Sequence, residues 1–201
     1  MTTRGVIYVH AAPAALTPHL EWAVAGVLDP DELGPDGPGP ADSSFEAIRP
    51  ASRTPLADRS APHERGHGSA FVWTDQPAEP GTLRAEIVWE GPAGTAGRIA
   101  SALRGWPRLR FEVTEDASHG AEGERYAWTP KQGMFRATVG VNGDILVGED
   151  RLRAAMAEAA IADVDLADTL EALMGQPWDE ELEPFRYAGE GAPVRILHHV
   201  I

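Results

Sequence analysis

The sequence predicts an α+β fold: a ferredoxin-like βαββαβ sandwich carrying a C-terminal hairpin, helices and a closing strand. Three observations carry that reading. Strand-like and helix-like segments follow one another in the order β-α-β-β-α-β over the first half of the chain. Two of the strands, TLRAEIVWEG and LRFEVTE, alternate apolar and polar residues, as a sheet with unlike faces requires. The intervening helices repeat their apolar residues at helical spacing.

Taken in order, Val6–Val9 (VIYV) is a β-rich run ending at His10, and AAPAAL is a turn. Thr17 stands as an N-cap with Pro18 at the first helical position, and Leu20, Val24, Val27 and Leu28 form the core stripe of the first helix. Asp29-Pro30 stops it. From Asp29 to Gly68 the composition turns to Pro, Gly, Ser and Asp with isolated apolar residues. Such a stretch cannot bury enough surface to offset its ordering entropy and reads as a disordered insert. Order resumes with AFVWTDQP (Ala70–Pro77) as a short strand. In TLRAEIVWEG, Leu83, Ala85, Ile87 and Trp89 face inward. The second helix offers Ala96, Ile99, Ala100 and Leu103. In LRFEVTE, Leu109, Phe111 and Val113 face inward and Arg110, Glu112 and Thr114 outward.

RYAWT is a further strand, and MFRATVGVNGDILV a hairpin with Asn142-Gly143 supplying the positive φ angles of a type I′ turn. GEDRLRAAMAEAAIA, VDLADTLEALMG (capped by Asp165) and PWDEELEPFRYA are three helices. VRILHHVI closes the chain as an apolar strand, paired in the sheet beside the first strand. All 201 residues form one domain, long enough to bury a proper core.

The formal net charge of −14 argues against a nucleic-acid surface, which needs clustered Lys and Arg, and against anionic membranes. A basic or cationic partner is compatible with it. The chain has no Cys, which excludes disulfides, thiolate metal sites and Cys nucleophiles. The few apolar residues before His10 are too short for a signal-peptide core, and no stretch approaches a membrane span, so the expected location is the cytoplasm.

Four groups of residues are candidates for binding or chemistry. Asp179 and Glu180, with Glu181 and Glu183, sit among Trp178, Phe185 and Tyr187. Paired carboxylates can act as acid and base or take a cation, but acids also favour the first turn of a helix, whose dipole they complement. There Trp178, Leu182 and Phe185 form the docking face. His10, His19 and His198 could converge if the terminal strands pair, and three imidazoles could hold zinc. No tight ligand spacing supports a metal, and none is assigned. The turn GPAGTAG, with Gly94 and Thr95 at the start of a helix, could present backbone N–H groups to an anion. It lacks the signatures of a P-loop or a dinucleotide site. Nucleophilic catalysis has little support: there is no G-x-S-x-G, Ser101 lies within a helix, and Lys131 sits in a polar turn.

Three segments, Thr2–Ala23, Arg98–Glu115 and Gly175–Val200, together with GDILVGEDRLRAA, resemble an actinobacterial family known as domain of unknown function 3145. The resemblance covers most of the chain outside Asp29–Gly68. It implies no activity, cofactor or catalytic residue. Its genes are associated with fatty-acid synthesis, which makes the phosphate of a pantetheine arm the anion to test at GPAGTAG. The expectation is a non-catalytic binding or regulatory protein acting on a protein partner or a small anionic metabolite, with no cofactor. The alternative is a small enzyme of acyl or coenzyme-A metabolism using His and carboxylate acid–base chemistry.

Overall fold

The computed structural model describes residues 2–29, 71–118, 120–162 and 164–186. The insert beyond Asp29, the closing strand VRILHHVI and His198 lie outside the described residues. The fold is α+β, with five α-helices among the described residues beside a sheet of seven described strands, paired antiparallel throughout. The strands are β1 (Thr2–Pro13), β2 (Thr74–Asp75), β3 (Thr82–Pro92), β4 (Arg110–Glu115), β5 (Gly123–Thr129), β6 (Gly133–Val139) and β7 (Ile145–Leu146). Their order across the sheet is β2-β3-β1-β4-β5-β6-β7. The helices are α1 (Thr17–Leu28), α2 (Thr95–Leu103), α3 (Glu149–Ala162), α4 (Leu166–Met174) and α5 (Gln176–Arg186).

Strand periodicity divides the sheet into two faces. Ile7 and Val9 of β1, Ile87 and Trp89 of β3, and Phe111 and Val113 of β4 point to the first face. They form one buried core with Leu20 and Val24 of α1 and Ala96, Ile99 and Leu103 of α2. The second face carries the row Tyr8–Glu112–Ala127–Phe135, fixed by cross-strand register. There Ala127, Phe135 and Ala137 pack under Leu182 of α5 in a smaller core. Gly5 lets this stacking close: a Cβ there would meet the Thr114 carbonyl at 1.8 Å and the Trp89 ring at 2.5 Å.

Several local expectations are corrected. β1 runs past His10 to Pro13, because a bulge after Val9 re-aims the strand and returns Ala12 to the core. Thr17 is not the N-cap of α1; a 3₁₀ turn (Ala14–Leu16) leads in, and the Thr17 hydroxyl donates back to the Ala14 carbonyl. The strand expected over Ala70–Pro77 shrinks to Thr74–Asp75, while Phe71 and Trp73 stack on each other and pack on the core. In the β6–β7 hairpin the Gly143 N–H donates to the Gly140 carbonyl. The central turn residues are therefore Val141 and Asn142, and Gly143 follows in the left-handed region at φ 86°. Both edges of β1 are held, one by β3 and the other by β4. Asp165 caps α4 as expected, accepting from the Ala167 N–H. Among the described residues, no helix is long and apolar enough to cross a membrane.

Candidate ligand-binding cleft

The first turn of α5 brings Asp179, and its last turn brings Arg186, onto the second face of the sheet beside Leu182. These residues stand at i, i+3 and i+7, one stripe of a helix. Under that stripe lies Glu112, at the middle of β4, with Arg125 on the adjacent strand β5. The alternation in LRFEVTE turns Glu112 outward, away from the main core; α5 covers that face, and Glu112 is 6% exposed.

The Glu112 carboxylate is almost fully engaged. Its Oε2 accepts from His10 Nε2 at 2.7 Å and from Arg186 Nε at 3.2 Å. Its Oε1 accepts from the terminal guanidinium nitrogens of Arg186 and Arg125, both at 2.7 Å. Both guanidiniums also bond the Asp179 carboxylate, Arg186 at 2.7 Å. Two acids and two arginines thus close a ring of charge-assisted hydrogen bonds that crosses from β4 and β5 to α5. Burial alone would push the Glu112 carboxyl up. The His10 hydrogen bond and the positive charge around it outweigh this and hold it well below the usual carboxylate range. Burial opposes the charged form of both guanidiniums, but the two carboxylates raise Arg125 and Arg186 further above their ordinary range.

Gln76 braces the ring from β2's side: it is 1% exposed and donates to the carbonyls of His10 at 2.6 Å and Phe185 at 3.2 Å. The Tyr8 ring stacks on His10 with centroids 6.1 Å apart. Its phenol is pushed up to about 12, first by burial and then by the charges of Glu86, Glu112 and Asp116.

This ring forms the floor of a cleft of about 460 Å³, a volume in the range of small-ligand sites. Tyr8 and Thr114 line one wall, and the hairpin residues Val139, Val141 and Ile145 form an apolar wall opposite. Five acidic residues line it against Arg125 and Arg186, but the Glu115 and Glu124 carboxylates turn to the α2 side of the sheet, which leaves those of Glu112, Asp116 and Asp179 on the cleft side.

The candidate residues from the sequence scatter. His10 and Asp179 meet in the ring. Glu180 points away, is exposed and bonds Gln176 of its own helix. His19 is exposed on α1, across the sheet. Gly94 and Thr95 do start α2, with Gly94 left-handed at φ 84°, but the cradle is filled from within. The buried Glu115 carboxylate accepts from the Gly94 N–H at 2.9 Å and the Ala96 N–H at 3.0 Å. Among the described residues, no cluster of three His, Asp or Glu could hold a metal ion. Glu112, Arg125 and Arg186 escaped the sequence reading. The one signal for Glu112 was a carboxylate between two apolar neighbours on a strand flanked by others.

A family model described as a protein of unknown function, DUF3145, matches residues 6–33 and 58–199. The chain belongs to this family. The unmatched residues 34–57 fall inside the low-complexity stretch Asp29–Gly68, and every residue of the DUF3145 charge ring lies within the matched portions. No curated protein and no solved structure matches the chain.

Proposed function

We propose that this chain is a non-catalytic binding protein of the cytoplasm whose cleft receives a basic, apolar-flanked segment of a protein partner. The observation that carries this reading is the make-up of the cleft. Its floor is a ring in which Glu112 and Asp179 are each matched to two guanidiniums, its wall is apolar, and Asp116 adds a third carboxylate on the cleft side. A cationic group entering there meets attractive charge that is partly shielded from water, where such attraction counts for more. An anion gains less, because both guanidiniums are already engaged. The overall charge of −14 steers the same class of partner.

The alternative, acid–base chemistry by His10 and Glu112 in acyl or coenzyme-A metabolism, has the right pair of groups at 2.7 Å. A carboxylate held so far below its ordinary range is a poor proton acceptor near neutral pH, and this favours binding over catalysis. The family resemblance makes fatty-acid synthesis the setting in which to seek the partner. We also read β1 to β4 with α1 and α2 as a ferredoxin-like unit. The strand order β2-β3-β1-β4 and the shared face of the two helices support this.

The site is tested by nuclear magnetic resonance, with octylammonium as a minimal cation with an apolar tail. Shifts at Gly140–Gly143 and at the side-chain N–H groups of Arg125 and Arg186 are expected. Shifts confined to other surfaces would remove the cleft from the account.

A further inference from the structure

Of the three carboxylates on the cleft side, Asp116 is the least engaged. A carboxylate offers about four lone-pair positions. Glu112 fills four, with one bond from His10, one from Arg125 and two from Arg186. Asp179 fills three, with two bonds from Arg125 and one from Arg186. Asp116 fills one: its Oδ2 accepts from Arg4 Nε at 2.9 Å, and among the described residues its Oδ1 accepts from none. The residue is nevertheless held in place. Its backbone N–H donates to the Arg4 carbonyl at 2.8 Å, and its own carbonyl accepts from the Thr3 hydroxyl at 3.0 Å. Asp116 lines the cleft and also a second, shallower cavity of about 420 Å³ bounded by Thr2, Arg4, Glu90 and Ser118. An extended segment passing over Asp116 therefore has room on both sides.

We propose that Asp116 receives the cation of the bound segment, and that this cation is a lysine ammonium rather than an arginine guanidinium. With Oδ2 taken by Arg4, one oxygen remains, and a single acceptor suits the compact point charge of an ammonium. A guanidinium gains its advantage by gripping both carboxylate oxygens at once, which Arg4 prevents. Arg4 does not close the site. Its side chain is 73% exposed, and a pair so exposed holds weakly. The apolar wall of Val139, Val141 and Ile145 takes the methylene stem of the lysine and its apolar neighbours. The ring keeps its own bonds throughout, so binding leaves α5 in place. This assignment rests on the reading of the cleft as a site for a basic, apolar-flanked segment, and adds to it the receiving residue and the head group.

Octylammonium and octylguanidinium share a tail and differ in head group. Titrated calorimetrically into the full chain, the ammonium should bind several-fold more tightly. Asp116→Asn should weaken ammonium binding about tenfold, the loss of one charge-assisted bond. Its Tm should not move, since an Asn oxygen can still accept from Arg4. Glu180→Gln removes the same charge from an exposed position outside the cleft and should bind as wild type does. Carboxyl carbon resonances of the wild type give a readout that no substitution can disturb: octylammonium should move Cγ of Asp116, and Cδ of Glu112 far less. Unchanged ammonium affinity in Asp116→Asn, a still Asp116 resonance, or a preference for the guanidinium overturns the proposal and leaves the cleft reading standing. Absence of octylammonium binding to the wild type sinks the cleft reading, and the role of Asp116 with it.

Discussion

The Arg186 guanidinium sits two-pronged on the Glu112 carboxylate, Nε to Oε2 at 3.2 Å and a terminal nitrogen to Oε1 at 2.7 Å, with Arg186 5% and Glu112 8% exposed at the side chain. This pair fastens the end of α5 to the centre of the sheet. Removing Arg186 leaves the buried Glu112 with Arg125 and His10 alone, which costs up to about 3–5 kcal/mol, the range for a broken buried pair. Arg186→Ala should therefore lose that much in urea unfolding. A loss under about 1 kcal/mol would mean that α5 is held by its apolar contacts alone.

Acid should weaken the fold through Glu112. Its folded value lies well below the ordinary carboxylate value of about 4.3 in the unfolded chain. A group lowered in this way contributes stability above the unfolded value, and that contribution is lost as pH falls through the folded one. The stability gap between wild type and Glu112→Gln should thus be widest near neutrality and narrow steadily from pH 5 to pH 3. A gap constant over that range would contradict the assignment.

The acids of α5 should differ sharply from one another. Asp179 bonds both arginines, and Glu181 accepts from the Thr129 hydroxyl at 2.7 Å, whereas Glu180 reaches only Gln176. Glu180→Gln should change stability by under about 0.5 kcal/mol. Trp178→Ala should cost about 2–3 kcal/mol, below the value for a fully buried Trp, because the ring is half-buried. The ring packs on Phe135 at 5.0 Å and donates to the Gly133 carbonyl at 3.0 Å. Equal effects for Trp178→Ala and Glu180→Gln in thermal melts would be inconsistent with this geometry.

Emptying the α2 cradle should create the anion site that the sequence suggested. Glu115→Ala frees the Gly94 and Ala96 N–H groups at a helix N-terminus. The variant should lose about 1–2 kcal/mol, as for the loss of a helix cap. Millimolar phosphate should raise its Tm while leaving wild type unmoved. If phosphate stabilises both proteins equally, Glu115 does not occupy the cradle.

What the sequence made legible was whatever periodicity controls. The inward residues of β3, β4 and α2 were all readable because a half-buried element repeats its own pattern. The boundaries of β1 and β2 were less so, since a bulge and a core contact made by Phe71 leave no local signature. The charge ring was not legible at all. Whether Glu112 faces water or a helix depends on α5, more than sixty residues later in the chain, and no spacing rule links β4 to it. For the same reason GPAGTAG read as an open anion site: its occupant, Glu115, comes from another strand.

Isothermal titration calorimetry of the full chain with octylammonium and octanoate tests the central claim most directly, since the two probes share a tail and differ in head-group charge. The account predicts one cleft site that prefers the ammonium by at least about tenfold, which is about 1.4 kcal/mol. Val141→Arg, at a lining position that is 86% exposed, should abolish that preference without moving Tm. Octanoate binding as tightly as octylammonium, or more tightly, would contradict the account.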